Sequence, residues 1–204
     1  NAHSKGGSMR YAHLGLVALV GLILCGAPAA GATTYALDSE HTSVGFKIRH
    51  LFSNVKGTFN DFEGEFEYVP GQPEQWTATA TIQATSIDTN QENRDKHLRS
   101  KDFFDVETHP TLSFTSTKAV YADSDTTQLH GLLTIHGVEQ PVVFDLEIHG
   151  EGSDPWGNLR SGFTATTTVN RKDFGLNWNQ ALETGQLLVG EEVEITLEVE
   201  GIAK

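Results

Sequence analysis

Apolar side chains recur at every second position through most of this chain, and that period decides what it can fold into. Val44, Phe46 and Ile48 alternate with Gly45, Lys47 and Arg49, and Phe62, Gly64, Phe66 and Tyr68 alternate with Glu63, Glu65 and Glu67. The same beat runs through Val142, Phe144, Leu146 and Ile148, and through Val193, Ile195, Leu197 and Val199. A strand turns successive side chains to opposite faces, so each run predicts a strand with one buried and one wet face. Weaker strand patterns cover Thr34–Leu37, Val55–Phe59, Trp76–Ser86, Thr111–Tyr121, Gln128–His136 and Arg160–Val169. Turn residues separate them at Pro70-Gly71, Asp123–Asp125, His136-Gly137 and Gly150–Gly157. The spacing predicts eight to ten strands, antiparallel because most links are too short for a helical crossover.

One-sided antiparallel strands without covering helices pack either as a closed barrel or as a two-sheet sandwich. The phenylalanines on the inner faces, Phe46, Phe59, Phe62, Phe66, Phe114, Phe144 and Phe163, suit either arrangement. Gly57 and Gly64 inside strands suit the sharp bends of a barrel, and only closure removes exposed edges. The expected fold is therefore all-β, an antiparallel β-barrel of about eight strands with one or two short helical insertions. Two stretches resist the strand pattern. Asn90–Asp105 predicts a helical turn near Arg94–Leu98, and Arg171–Gly190 predicts a short helix or loop.

Residues 1–8 precede Met9 and read as a tag remnant, and Met9–Ala32 reads as a secretory signal. Arg10 supplies the positive start, Leu14–Cys25 the apolar run and Ala30-Gly31-Ala32 the cleavage site. The run is shorter than the roughly 20 residues a membrane span needs, so no stable anchor is expected after cleavage. The expected mature domain is 33–204, one domain of 172 residues, in the periplasm. Cys25, the single cysteine, leaves with the signal, and with it any disulfide, thiolate ligand or cysteine nucleophile. The mature chain keeps 12 basic and 27 acidic residues, a charge of −15, which disfavours nucleic acid and anionic membrane surfaces as partners.

Strong catalytic signatures are absent: there is no phosphate-cradling GxxxxGK, no GxGxxG, no GxSxG and no HExxH. The seven mature histidines, His41, His50, His97, His109, His130, His136 and His149, lack ligand spacing. His130 and His136 share strand parity but would stand about 20 Å apart in an extended strand. The expectation is scattered surface and turn histidines. In the charged stretch Glu92–Phe114, Arg94 and His97 have two readings. They grip a polar group of a ligand, or they belong to a locally paired loop in which Asp95 meets Arg99 at i,i+4. Phe103 and Phe104 either plug the core or line a pocket.

Four segments together resemble a known family: "YALDSEHTSVGFKIRHLFSNVKGTFNDFEGEF", "SIDTNQENRDKHLRSKDFFDVETHPTLSFTST", "LHGLLTIHGVEQPVVFDLE" and "NRKDFGLNWN" with "VGEEVEITLEVEG". Their order and near-complete coverage of the mature chain resemble the YceI-like family of secreted bacterial proteins. The resemblance implies a lipocalin-like barrel with a long apolar cavity that binds a polyisoprenoid or similar long-chain amphiphile, for transport or storage, and is not an enzyme. It implies no cofactor beyond a bound isoprenoid lipid or quinone. The candidate cavity residues are Phe46, Phe62, Phe66, Phe114, Leu133, Phe144 and Phe163, with Phe103 and Phe104 covering one end and Arg94, His97 and Arg171 at the polar mouth. The expected partner is a long-chain isoprenoid or fatty amphiphile, and a homodimer is left open. Two alternatives remain: a periplasmic metal- or haem-associated enzyme using the histidines, and a stress-related protein-interaction module.

Overall fold

A computed structural model describes residues 1–3, 31–122, 126–183, 185 and 187–204. Residues 4–30, which hold nearly all of the expected leader, lie outside the described residues, as does the expected turn at Asp123–Asp125. The described strands are β1 Thr33–Leu37, β2 Ser43–His50, β3 Ser53–Phe59, β4 Phe62–Tyr68, β5 Thr77–Gln83, β6 Ile87–Asp88, β7 Thr111–Tyr121, β8 Thr127–Ile135, β9 Val138–Ser153, β10 Leu159–Asn170 and β11 Val189–Ala203. One α-helix, α1 (Glu92–Arg99), and 3-10 turns at Pro73–Gln75, Ala84–Ser86 and Arg171–Phe174 complete the described elements. Hydrogen bonding runs β1-β4-β5-β7-β8-β9-β10-β11 and returns to β1, a closed antiparallel circuit of eight strands. The barrel expected from the alternation is thus the fold, and each strand of the circuit has a partner on both sides.

The remaining strands, β2, β3 and β6, branch from β11. Its last residues, Gly201 to Ala203, pair with β1, whereas Val189 to Glu198 pair with β2. A single long strand therefore closes the barrel on β1 near its C-terminus and carries β2 along the rest of its length, so that β2 and β3 extend the wall around the cavity.

The register defines the two ends. One gathers residues 84–110, the β8–β9 turn and residues 171–183; the other gathers residues 69–76, the facing ends of β7 and β8 at Tyr121 and Thr127, and the β9–β10 turn. Trp76 caps the second end. Its indole Nε1 donates to the Val69 carbonyl at 2.7 Å, and its ring packs on Tyr68 at 5.0 Å.

Glycines inside the strands make room for rings of neighbouring strands. A Cβ at Gly57 would sit 2.4 Å from Cζ of Phe46, and one at Gly131 would sit 2.4 Å from the Phe114 ring. At Gly201 it would lie 2.6 Å from Phe66 Cε1. Each of these three phenylalanines lays its ring over a glycine of another strand, which fixes the ring against the barrel wall. The expected turn at Gly150–Gly157 starts later, because β9 continues to Ser153. Gly150, at φ +102, sits at a register shift in which Gly162 faces Gly150 and Phe163 faces Ile148. Glycine punctuates a bulge as readily as a turn, and here it does the former.

The expected helical turn is the full helix α1. Gln91 caps it, its side-chain oxygen accepting from Arg94 N at 2.6 Å. The expected pair between Asp95 and Arg99 does not form. Asp95, buried, instead accepts from Thr89 N at 3.0 Å and Thr89 Oγ1 at 2.5 Å. Arg99 donates to the carbonyls of Thr85 and Ile87 at 2.7 and 2.6 Å. The Arg99 guanidinium thus serves two backbone carbonyls, whereas a local ion pair on a helix surface would contribute only a few tenths of a kcal/mol.

Candidate functional site: an apolar cavity in the barrel

The inner faces of β2 and β11 remain only half-buried although they point into the barrel: Val44, Phe46 and Ile48, and Val193, Ile195, Leu197 and Val199. The reason is a cavity of about 330 Å³ that these side chains line. Its wall is almost wholly aliphatic and aromatic. It excludes the layer of Val69, Trp76, Ala119 and Leu146, so the barrel is packed solid toward the Trp76 end. Toward the other end the wall reaches α1 and the segment 171–189, which places the mouth there.

All seven candidate tail residues stand on this wall. Phe66 on β4 stacks on Tyr35 at 5.1 Å and meets Phe163 of β10 edge-on at 5.1 Å. Phe114 of β7 meets Phe144 of β9 edge-on at 5.3 Å, with Leu133 of β8 also on the wall. Phe46 tilts against Phe59 at 5.8 Å, and Phe62 opens β4 on the same wall. Edge-on and offset ring pairs of this kind add to the area they bury and hold the rings in place.

Phe103 and Phe104 follow α1 and also line the cavity. Phe104 meets Phe59 edge-on at 5.7 Å, whereas Phe103 joins His97 and Trp178 in a cluster with ring centroids 4.8 to 5.1 Å apart. Plugging and lining are therefore not alternatives for these residues: Phe103 is buried among rings and faces the cavity as well.

The three polar candidates gather at the mouth end, each already engaged with the protein. Arg94 donates to Thr89 Oγ1 and to the Thr89 carbonyl, both at 2.7 Å. His97 Nε2 pairs with Asp102 at 2.8 Å. Arg171 is 3 % exposed; its Nε donates to the Gly190 carbonyl at 2.7 Å and Nη1 to the Leu176 carbonyl, while Nη2 is buried with no partner among the described residues. Burial lowers the Arg171 pKa, and Glu191 opposes that shift. The wall presents no serine or cysteine beside a histidine among the described residues.

Sequence reasoning missed Phe174, Leu176 and Trp178, which line the mouth end. They lie in a stretch with no strand period, and the turn that aims them inward depends on Arg171 gripping Leu176 and Gly190.

A model of the YceI-like domain family matches residues 35–201. A UPF0312 protein of Shewanella putrefaciens is 39 % identical over 192 residues, covering 93 % of this chain and 97 % of the relative. One of Ectopseudomonas mendocina is 41 % identical over 191 residues, covering 91 % and 97 %. Among solved structures, the YCEI protein of Campylobacter jejuni is 34 % identical with a TM-score of 0.65, covering 82 % of this chain and 96 % of that one. A polyisoprenoid binding domain from Saccharophagus degradans shares the fold at 15 % identity and a TM-score of 0.62, covering 84 % and 99 %.

Proposed function

The chain belongs to the YceI-like family, and from that premise we propose that it is a lipid-binding barrel that carries or stores a polyisoprenoid or similar long-chain amphiphile without acting on it chemically. The apolar cavity carries this reading. A wall built from phenylalanine, leucine, isoleucine and valine offers an alkyl or prenyl tail about 25 cal/mol per Å² of apolar area withdrawn from water, with no polar contact required. A neighbour of the same fold is described as a polyisoprenoid binding domain, which favours a prenyl tail over a compact ligand. The location we propose is the periplasm, on the strength of the leader at Met9–Ala32. The head group would sit at the mouth end, near Arg94, His97 and Arg171.

Native mass spectrometry of protein purified without detergent tests the proposal. The expected spectrum shows a lipid-sized adduct that organic extraction removes and chromatography resolves as a prenyl or long acyl chain. Protein that carries no adduct, and takes up none from prenyl lipid vesicles, would refute it.

A further inference from the structure

Asp105, His109 and His136 meet at the mouth end of the barrel, outside the cavity wall. One ligand-capable atom of each lies within 4.8 Å of those of the other two, and all three residues are half-buried. The imidazole centroids of His109 and His136 are 4.5 Å apart with the rings inclined at 64°. Two turns fix their backbones. Thr108 N and His109 N both donate to the Asp105 carbonyl, at 2.9 and 2.8 Å, and His136 with Gly137 makes the β8–β9 turn. The β7–β8 register, with Ser113 opposite Thr134, carries the residues ahead of Thr111 alongside that turn.

Gly137 makes room for the cluster. A Cβ there would lie 2.6 Å from Cε1 and 2.7 Å from Nδ1 of His109. Beyond the ring contact, none of the three side chains has a hydrogen-bond or ion-pair partner among the described residues. Their ligand-capable atoms are thus not engaged by protein groups among the described residues. The other cluster of this kind among the described residues, Asp38, His41 and Glu200, differs: the Arg160 guanidinium sits within it, 2.6 Å from Asp38 and 2.5 Å from Glu200.

We propose that Asp105, His109 and His136 form a divalent metal site, with two imidazole nitrogens and one carboxylate oxygen as ligands and a further position for water. Two nitrogens with one oxygen suit zinc and its neighbours in the transition series, whereas magnesium and calcium require mostly oxygen. The metal would tie the α1–β7 connection to the β8–β9 turn. That connection carries Phe103 and Phe104, so the metal braces the cavity wall at its mouth. The site stands on its own geometry and does not depend on the lipid reading.

Calorimetric titration of EDTA-stripped protein with zinc chloride tests it, with far-UV circular dichroism confirming the fold of each variant. The expected result is one zinc per chain. Asp105→Asn and His136→Asn should each weaken binding more than about tenfold, since losing even an outer-sphere partner of a metal ligand costs that much. Asparagine tolerates the left-handed backbone at Asp105 (φ +43) and His136 (φ +53), so these variants keep the local chain path. Cobalt(II) should give a visible d–d band that the double variant His109→Asn with His136→Asn lacks. Failure to take up zinc stoichiometrically would overturn the proposal. Uptake that survives the double substitution in a folded protein would overturn it equally, by placing the metal elsewhere.

Discussion

Three carboxylates converge on one guanidinium at Arg160. Its Nη1 lies 2.6 Å from Asp38 and 2.5 Å from Glu200, and its Nε lies 2.8 Å from Asp154. The residue thereby ties β10 to the end of β1, to β11 and to the β9–β10 turn. Arg160 holds the Asp38 carboxyl down at about 2, with His41 assisting. Asn158 and then Arg160 hold Asp154 well below the usual carboxylate range. A carboxyl whose folded pKa is depressed contributes stability that is complete above its unfolded value near 4 and is lost as pH falls through the folded value. Urea unfolding of the native chain should therefore show stability falling between about pH 4 and pH 2. In Arg160→Gln the Asp38 carboxyl returns toward its ordinary value, and Asp154 does so in part, since Asn158 still holds it down. That limb should flatten, with lower stability at pH 7. An equally steep acid limb in the variant would remove Arg160 as its cause.

The helix α1 illustrates how an element is held in place by what its polar side chains reach. Asp95 is buried and takes both donors of Thr89, and Arg94 and Arg99 cover the carbonyls of Thr89, Thr85 and Ile87. Lys96, by contrast, pairs with Glu92 at 2.9 Å on an exposed face. Removing Asp95 strands two donors away from water, so Asp95→Ala should destabilise by about 1–3 kcal/mol. Lys96→Ala should change stability by less than about 0.5 kcal/mol, since exposed pairs contribute little. Denaturant melts of the two variants measure the difference, and equal effects would contradict the assignment. The same contrast explains what could be read in advance. The strand faces were legible because a period of two is local, and all twelve candidate site residues lie on the cavity wall for that reason or because they stand in motifs of the family. The partners of Asp95 and Arg99 were not legible, because they are the Thr89 amide and hydroxyl and the Thr85 and Ile87 carbonyls, which the path of residues 85–89 brings to the helix. Nor was the meeting of His109 and His136, which are 27 positions apart and come together only through the β7–β8 register. Trp178 was hidden by a loop without any period.

The barrel as a whole combines a packed end with a hollow one, and the hollow part must be reconciled with stability. Protein interiors are normally filled, and unfilled apolar space costs dispersion contacts along its lining. A ligand that occupies the cavity restores those contacts and, binding only the folded chain, stabilises it by about 2.7 kcal/mol at a hundredfold excess over its dissociation constant. For a domain of this size each kcal/mol moves the melting temperature by roughly 2–4 °C. Lipid-stripped protein should therefore melt roughly 5–11 °C below protein carrying its lipid, and adding the extracted lipid back should restore the difference. Filling the space with protein should uncouple the two. Ile195 on β11 is half-buried only because it faces the cavity. Ile195→Trp should push its indole into that space, lower lipid content in extracts, and make the melting temperature indifferent to added lipid. If Ile195→Trp still loads lipid and still gains stability from it, the tail must lie on another surface, and the cavity is then a by-product of barrel closure.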